Sequence, residues 1–198
     1  MKKINSAQLL EDLNADTRQI VLQTKLLLQQ DPELLLRQPA ENKWSVAQVI
    51  EHLNSYGRYY LPVMKTALIK PAHRPAEFYR PGWLGDYFTK SMLPQKNGQV
   101  TKKMKSPKDH RPSSDIDSRI VLEEFLLQEY HLLQLLEKAE KTNLETRIPI
   151  SISRFIKIKL GDGFRFLIAH HQRHFVQVEN TLKAINKLTG EALLLSGG

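Results

Sequence analysis

"AHHQRHFVQVEN", residues 169–180, places histidines at 170, 171 and 174 inside a longer helical pattern. That pattern begins near Gly161–Gly163 and runs through "FRFLIAHHQRHFVQVENTLKAINKL" (164–188) to Gly190, which is expected to end it. His170 and His174 stand four apart, so on a helix they share one face, a turn from each other. The spacing lets two imidazoles converge on one ion, the geometric logic of the zinc-protease helix. The glutamate that follows the first histidine of that motif is missing, because position 171 is itself histidine; a thermolysin-type protease is not supported. Phe164, Leu167, Ile168, Phe175, Val178, Leu182 and Ile185 make the apolar stripe of this helix. His171 falls near the middle of the stripe, His174 on its shoulder and His170 at its boundary. Spacing alone therefore leaves two readings open: a pair of ligands, or one hydrogen-bonded core histidine at 171 flanked by surface residues.

Three further segments carry helical periodicity. The first runs from about Asn5 to Gln30, with Leu9, Leu13, Ile20 and Leu27 recurring at threes and fours, and Pro32 and Pro39 break the pattern after it. The second is "WSVAQVIEHLNSYGRYYLPVMKTALIK" (44–70), where Ser45 caps the first turn and Gln48 reaches back to complete a capping box. Pro62 predicts a kink or a local weakening there. The third is "DIDSRIVLEEFLLQEYHLLQLLEKAEK" (115–141), with Ser114 or Asp115 as its cap. The final "LLLSGG" is expected to fray. The pattern predicts an all-α chain forming one domain over residues 1–198.

Between the second and third helices lies a connection of about 45 residues, 70–114, far longer than the usual ~12–15-residue limit for a loop without function. Its first half contains "EFYRPGWLGDYF" (77–88), whose aromatics Phe78, Tyr79, Trp83, Tyr87 and Phe88 are expected to pack over one end of the helices. Trp83, Tyr87 and nearby apolar residues are expected to shape or cover the mouth of a metal pocket. The second half is polar and basic, and is expected to be mobile.

With no cysteine in the chain, disulfides, zinc–thiolate sites and thiol nucleophiles are excluded together, and any metal must be held by His, Asp or Glu. The net charge of +8 is concentrated in "KNGQVTKKMKSPKDHRP" (96–112) and "RFIKIK" (154–159), both expected to be connections between helices. A solvated basic surface explains this excess more simply than a nucleic-acid site does. "MKKINSAQLLEDL" (1–13) lacks the apolar core of a signal peptide, and no run approaches the ~20 apolar residues of a membrane span. The expectation is a cytoplasmic protein with no membrane partner.

His52 adds a third imidazole. It lies in line with Val49 and Tyr56, flanking the buried face of the second helix, where a polar side chain needs a partner. That partner could be a metal, or simply a backbone carbonyl or a tyrosine hydroxyl.

"NKWSVAQVIEHLN" (42–54) followed much later by "LGDGFRFLIAHHQRHFVQVENTL" (160–182) resembles the DinB-like (DinB/YfiT) superfamily of bacterial four-helix bundles, a family distinct from the DNA polymerase of the same name. The resemblance covers most of the chain and implies up-down-down-up connectivity, with 70–114 as the crossover between parallel helices two and three. It also implies a divalent metal ion, zinc or nickel ahead of iron, bound by three histidines. Position by position these fall on His52, His170 and His174, with Arg173 before the last and Gln177 after it, leaving His171 outside. Members of the family include thiol-dependent transferases, isomerases and hydrolases. The implied partner is a small-molecule substrate, and a transferase would need a low-molecular-weight thiol supplied from outside. A homodimer is a further expectation. The different-class alternative is a non-catalytic stress or interaction protein whose basic loop binds nucleic acid or a protein partner.

Overall fold

Asn5 opens the first helix. Its side chain accepts the Gln8 amide at 3.0 Å, and α1 (Ser6–Leu27) follows, burying Leu9, Leu13, Ile20 and Leu27 on one face. The computed structural model describes residues 1–69, 75–94 and 106–196, with side chains described as far as residue 188. A short helix, α2 (Pro32–Leu36), begins at Pro32, where a missing N–H costs nothing. The third helix, α3 (Val46–Ile69), starts at the expected capping box: Gln48 N–H donates to Ser45 Oγ at 3.2 Å, and Ser45 N–H donates to Gln48 Oε1 at 3.0 Å. The Gln48 amide goes further, donating to the Ser113 carbonyl at 3.2 Å and accepting from Gln38 Nε2 at 3.3 Å. Pro62 does not end α3, which continues through it to Ile69.

The next helix, α4 (Trp83–Met92), lies within the long connection, and a 3₁₀ turn at Lys108–His110 precedes α5 (Ser118–Ala139). The cap of α5 is Asp117 rather than Ser114 or Asp115; its carboxylate accepts the Arg119 and Ile120 amides. The last helix, α6 (Leu160–Ser196), runs past Gly190 instead of stopping there. A glycine inside a helix costs only about 1 kcal/mol and is a weak stop.

The fold is mostly helical, as expected, but it is not purely so. Among the described residues there are two small antiparallel sheets: β1 (Ile4–Asn5) with β2 (Phe78–Tyr79), and a hairpin of β3 (Arg147–Ile150) with β4 (Ser153–Lys159). "RFIKIK" is thus a strand and not a simple connection. In the hairpin Ile148 pairs with Ile158, both buried against the helices, while Arg154, Phe155 and Lys157 face outward. The basic segment at 96–105 lies outside the described residues.

The four long helices each pack against two others: α1 and α3 both contact α5 and α6. Asn54 Nδ2 donates to the Val121 carbonyl at 2.9 Å, and one turn on, Gly57 lies beneath Gln128. A Cβ on Gly57 would fall 1.8 Å from Gln128 Oε1, so only glycine allows that approach as it stands. Between α3 and α6 the contacts step the other way, from His52 with His170, through Tyr60 with Phe166, to Met64 at Gly163. Phe125 on α5 meets Phe175 on α6, Asp16 on α1 bonds Gln172 on α6, and Lys25 on α1 lies over Tyr130 on α5. Ile50, Leu53, Leu122, Leu132, Phe164 and Leu167 fill the space between the helices. Each such side chain contributes about 1.5–3 kcal/mol on burial. Asp162, fully buried at the start of α6, accepts the Gly82 amide at 2.8 Å and holds Arg165, which also binds Asp86; this ties α4 to α6. Among the described residues no helix is long and apolar enough to cross a membrane.

Candidate metal centre

His52 lies two turns into α3, and His170 and His174 project from successive turns of α6, which packs against it. One nitrogen from each lies within 4.8 Å of the other two, so the three could hold a metal ion. His52 and His170 are buried, while His174 is partly exposed at one edge. Their ring centroids are 5.1 Å apart for 52–170, 4.7 Å for 52–174 and 4.6 Å for 170–174.

The outer nitrogens of two of these rings are tied off. His52 Nδ1 lies 2.7 Å from the His110 carbonyl oxygen, which can only accept, so Nδ1 carries the proton and Nε2 presents a lone pair. His174 Nδ1 lies 2.9 Å from Gln177 Oε1, which fixes its tautomer in the same sense. His52 Nε2 then faces His170 Nε2 at 3.3 Å. Two nitrogens bound to one tetrahedral cation at ~2.0–2.1 Å would sit ~3.4 Å apart, so this pair has the spacing of shared ligands. Holding the far N–H of a ligating imidazole on a carbonyl or amide oxygen is the arrangement that orients such a ligand.

Electrostatics favours the ligating form. Burial lowers the pKa of His52 to about 4 and that of His174 to about 3, and holds His170 well below the ordinary imidazole value. Neighbouring imidazoles push His170 and His174 further the same way. All three rings are therefore neutral at neutral pH, as ligand nitrogens must be. Aromatic walls surround them: Trp44 is 5.1 Å from His52, Tyr56 is 4.5 Å from His170, and Phe166 stacks on His170 at 5.8 Å with an 8° interplanar angle.

His171 belongs to a different environment. It is buried on the neighbouring face of α6, with Nδ1 3.0 Å from Glu129 Oε1 of α5 and its ring edge-on to Phe125 at 5.2 Å. The helical stripe places it near the core, and that is where it lies; its partner, Glu129, escapes the sequence reading. An acid in the middle of an apolar helical face was the available signal.

The aromatic connection divides into rings that face solvent and one that packs inward. Trp83 and Tyr87 are 78% and 57% exposed and stack on each other at 6.4 Å. Phe88 is the ring of this segment whose contacts lead to the histidines: it meets Phe166 at 6.2 Å, and Phe166 stacks on His170. An α4 with Gly85 pressed on Asp162 turns the two larger rings outward. His110 also escapes the sequence reading, because its contribution to His52 is a backbone carbonyl.

A family model described as the DinB superfamily matches residues 13–178, a span that contains all three clustered histidines. No curated protein and no solved structure matches the chain.

Proposed function

The chain belongs to the DinB superfamily, and we propose that His52, His170 and His174 bind one divalent cation, zinc or nickel ahead of iron, in a site that acts on a small molecule. The observation that carries this reading is the pair of imidazole nitrogens 3.3 Å apart, with the far nitrogen of His52 already committed to a carbonyl. Without a cation, two buried nitrogen faces meet with at most one proton between them. A cation between them satisfies both lone pairs.

Three protein ligands leave coordination positions open, which distinguishes a reactive site from a closed structural one. An ion held this way supplies Lewis acidity and lowers the pKa of bound water toward neutrality. The chain's own contribution is orientation and dryness: His110 and Gln177 fix two rings, and Trp44, Tyr56 and Phe166 limit water around them. Hydrolysis or transfer to a low-molecular-weight thiol are the reactions we assign to it. A transferred group would need an external sulfur, because the chain has none of its own beyond methionine.

The same reading takes the chain as a single four-helix bundle of α1, α3, α5 and α6 with up-down-down-up connectivity. Contacts that advance together along α3 and α5, but oppositely along α3 and α6, support it. So does the long connection between α3 and α5, which parallel neighbours require. A cytoplasmic homodimer completes the proposal. Metal content decides the central point. Protein purified without chelator and reloaded with zinc or nickel should hold about one ion per chain by elemental analysis; a chain that stays metal-free under saturating zinc and nickel refutes the reading.

A further inference from the structure

The connection between α3 and α5 returns to the histidines at one place, the turn of residues 106–110. The turn is closed by the His110 amide on the Pro107 carbonyl at 3.1 Å and by the Arg111 amide on the Lys108 carbonyl at 3.2 Å. From it, His110 makes three contacts with one face of α3. Its carbonyl accepts from His52 Nδ1 at 2.7 Å, its Nδ1 lies 2.8 Å from Ser55 Oγ, and its ring stacks on Tyr56 with centroids 3.8 Å apart. Positions 52, 55 and 56 share that face by helical spacing.

The protons in this cluster can be assigned. The single Ser55 hydroxyl proton goes to the His52 carbonyl, 2.6 Å away. Ser55 Oγ must then accept from His110, which places the proton of that ring on Nδ1. Ser106 Oγ lies 3.2 Å from both the Pro107 and His110 carbonyl oxygens and 3.4 Å from His52 Nδ1, so the turn brings two oxygens to one side of His52. His110 is itself buried. Within α3, Tyr56 packs edge-on to the His52 ring at 5.2 Å, but the hydrogen bond that fixes its Nδ1 comes from 58 residues downstream.

We propose that His110 is a positioning residue for the metal centre: seated on Ser55 and Tyr56, it delivers the backbone carbonyl that holds the His52 lone pair toward His170 and His174. The crossover connection then completes the site it crosses, and docking of the 106–110 turn sets the affinity for the ion. This rests on the reading of His52, His170 and His174 as ligands. Binding linkage makes the coupling reciprocal, so a bound ion must hold the turn down by the same factor by which the seated turn strengthens binding.

The test uses the full chain and cobalt(II) chloride, whose visible absorption reports ligand geometry, with competition by zinc. His110→Ala keeps the carbonyl in the chain but removes the ring contacts that seat it; Ser55→Ala removes one of them with little change in shape. Cobalt affinity should fall about tenfold in His110→Ala and by a smaller factor in Ser55→Ala, with a weakened or shifted cobalt band in both. A merely structural loss would lower the unfolding midpoint of the metal-free protein and leave the band of the bound cobalt unchanged. In the wild type, amide exchange at His110 and Arg111 should slow when zinc is added. If His110→Ala does not fold, Ser55→Ala and the exchange measurement decide. The proposal is overturned if wild type binds, His52→Ala does not, and both variants match wild type within twofold with exchange at His110 and Arg111 indifferent to zinc. A wild type that takes up no ion overturns this proposal and the metal reading together.

Discussion

Two adjacent residues of α6 carry buried imidazoles with opposite surroundings. His170 packs against two other histidines, whereas His171, one residue on, has its Nδ1 beside the Glu129 carboxylate. A step of one residue turns a side chain by about 100°, enough to pass from the α3 side of α6 to the α5 side. Burial is nearly equal, 3% against 2% exposed, so depth does not separate the roles. What separates them is the charge each surrounding can accept. A neutral cluster of lone pairs invites a cation from outside, whereas a carboxylate supplies an internal partner.

The sharpest way to break this comparison is to exchange the two faces by mutation. Alanine at His52, His170 or His174 should each abolish saturable binding of one ion per chain, with affinity falling by two orders of magnitude or more, as measured by zinc competition. His171→Ala should bind within a few-fold of wild type. If His171→Ala loses the ion and His170→Ala keeps it, the two faces have been assigned the wrong way round.

Acid should act next, through the triad. The pKa of His52 is lowered to about 4 and that of His174 to about 3, while an unfolded histidine titrates near 6.5. Between those values the unfolded chain binds protons that the folded chain refuses, so stability is full above pH ~6.5 and is lost as pH falls toward 4. The loss should be about 1–2 kcal/mol per histidine by pH 5 for the metal-free protein in urea titrations. His52→Leu should flatten that slope, and an unchanged slope would show that His52 is not among the residues responsible.

The smallest effect concerns the other face. Glu129→Ala removes the carboxylate 3.0 Å from the buried His171 Nδ1 and should cost about 1–3 kcal/mol of unfolding free energy, while zinc affinity changes little. A variant that loses zinc as sharply as His170→Ala would join the two environments into one site.

Some of this was legible in the chain and some was not. The Ser45–Gln48 box and the burial of His171 follow from local spacing, and both are found. The i, i+4 pair needed His52 beside it to mean more than a helix face; helical position made His52 a candidate, and family resemblance joined it to His170 and His174. The β3–β4 hairpin was hidden because its two strands are short and β4 is exposed and basic at 154 and 157, so the alternation of Ile148, Ile150 and Ile158 becomes visible only once the strands pair. His110 could not be found at all from side-chain chemistry, since the group that reaches His52 is one every residue owns. Its position is a property of the turn, and the turn depends on tertiary packing.

Gln48 carries a last consequence. A capping box is ordinarily indifferent to glutamine or glutamate at its fourth position. In this protein the amide also spends a donor on Ser113 and an acceptor on Gln38, so it joins the start of α3 to segments ten residues before and sixty-five residues after it. Glutamate would keep the cap and set an anion against the Ser113 carbonyl, an oxygen facing an oxygen in a nearly buried place. A substitution that similarity matrices score as mild would therefore keep the link to Gln38 but cut the one to Ser113, releasing the approach to α5 from the start of α3 a turn away from His52.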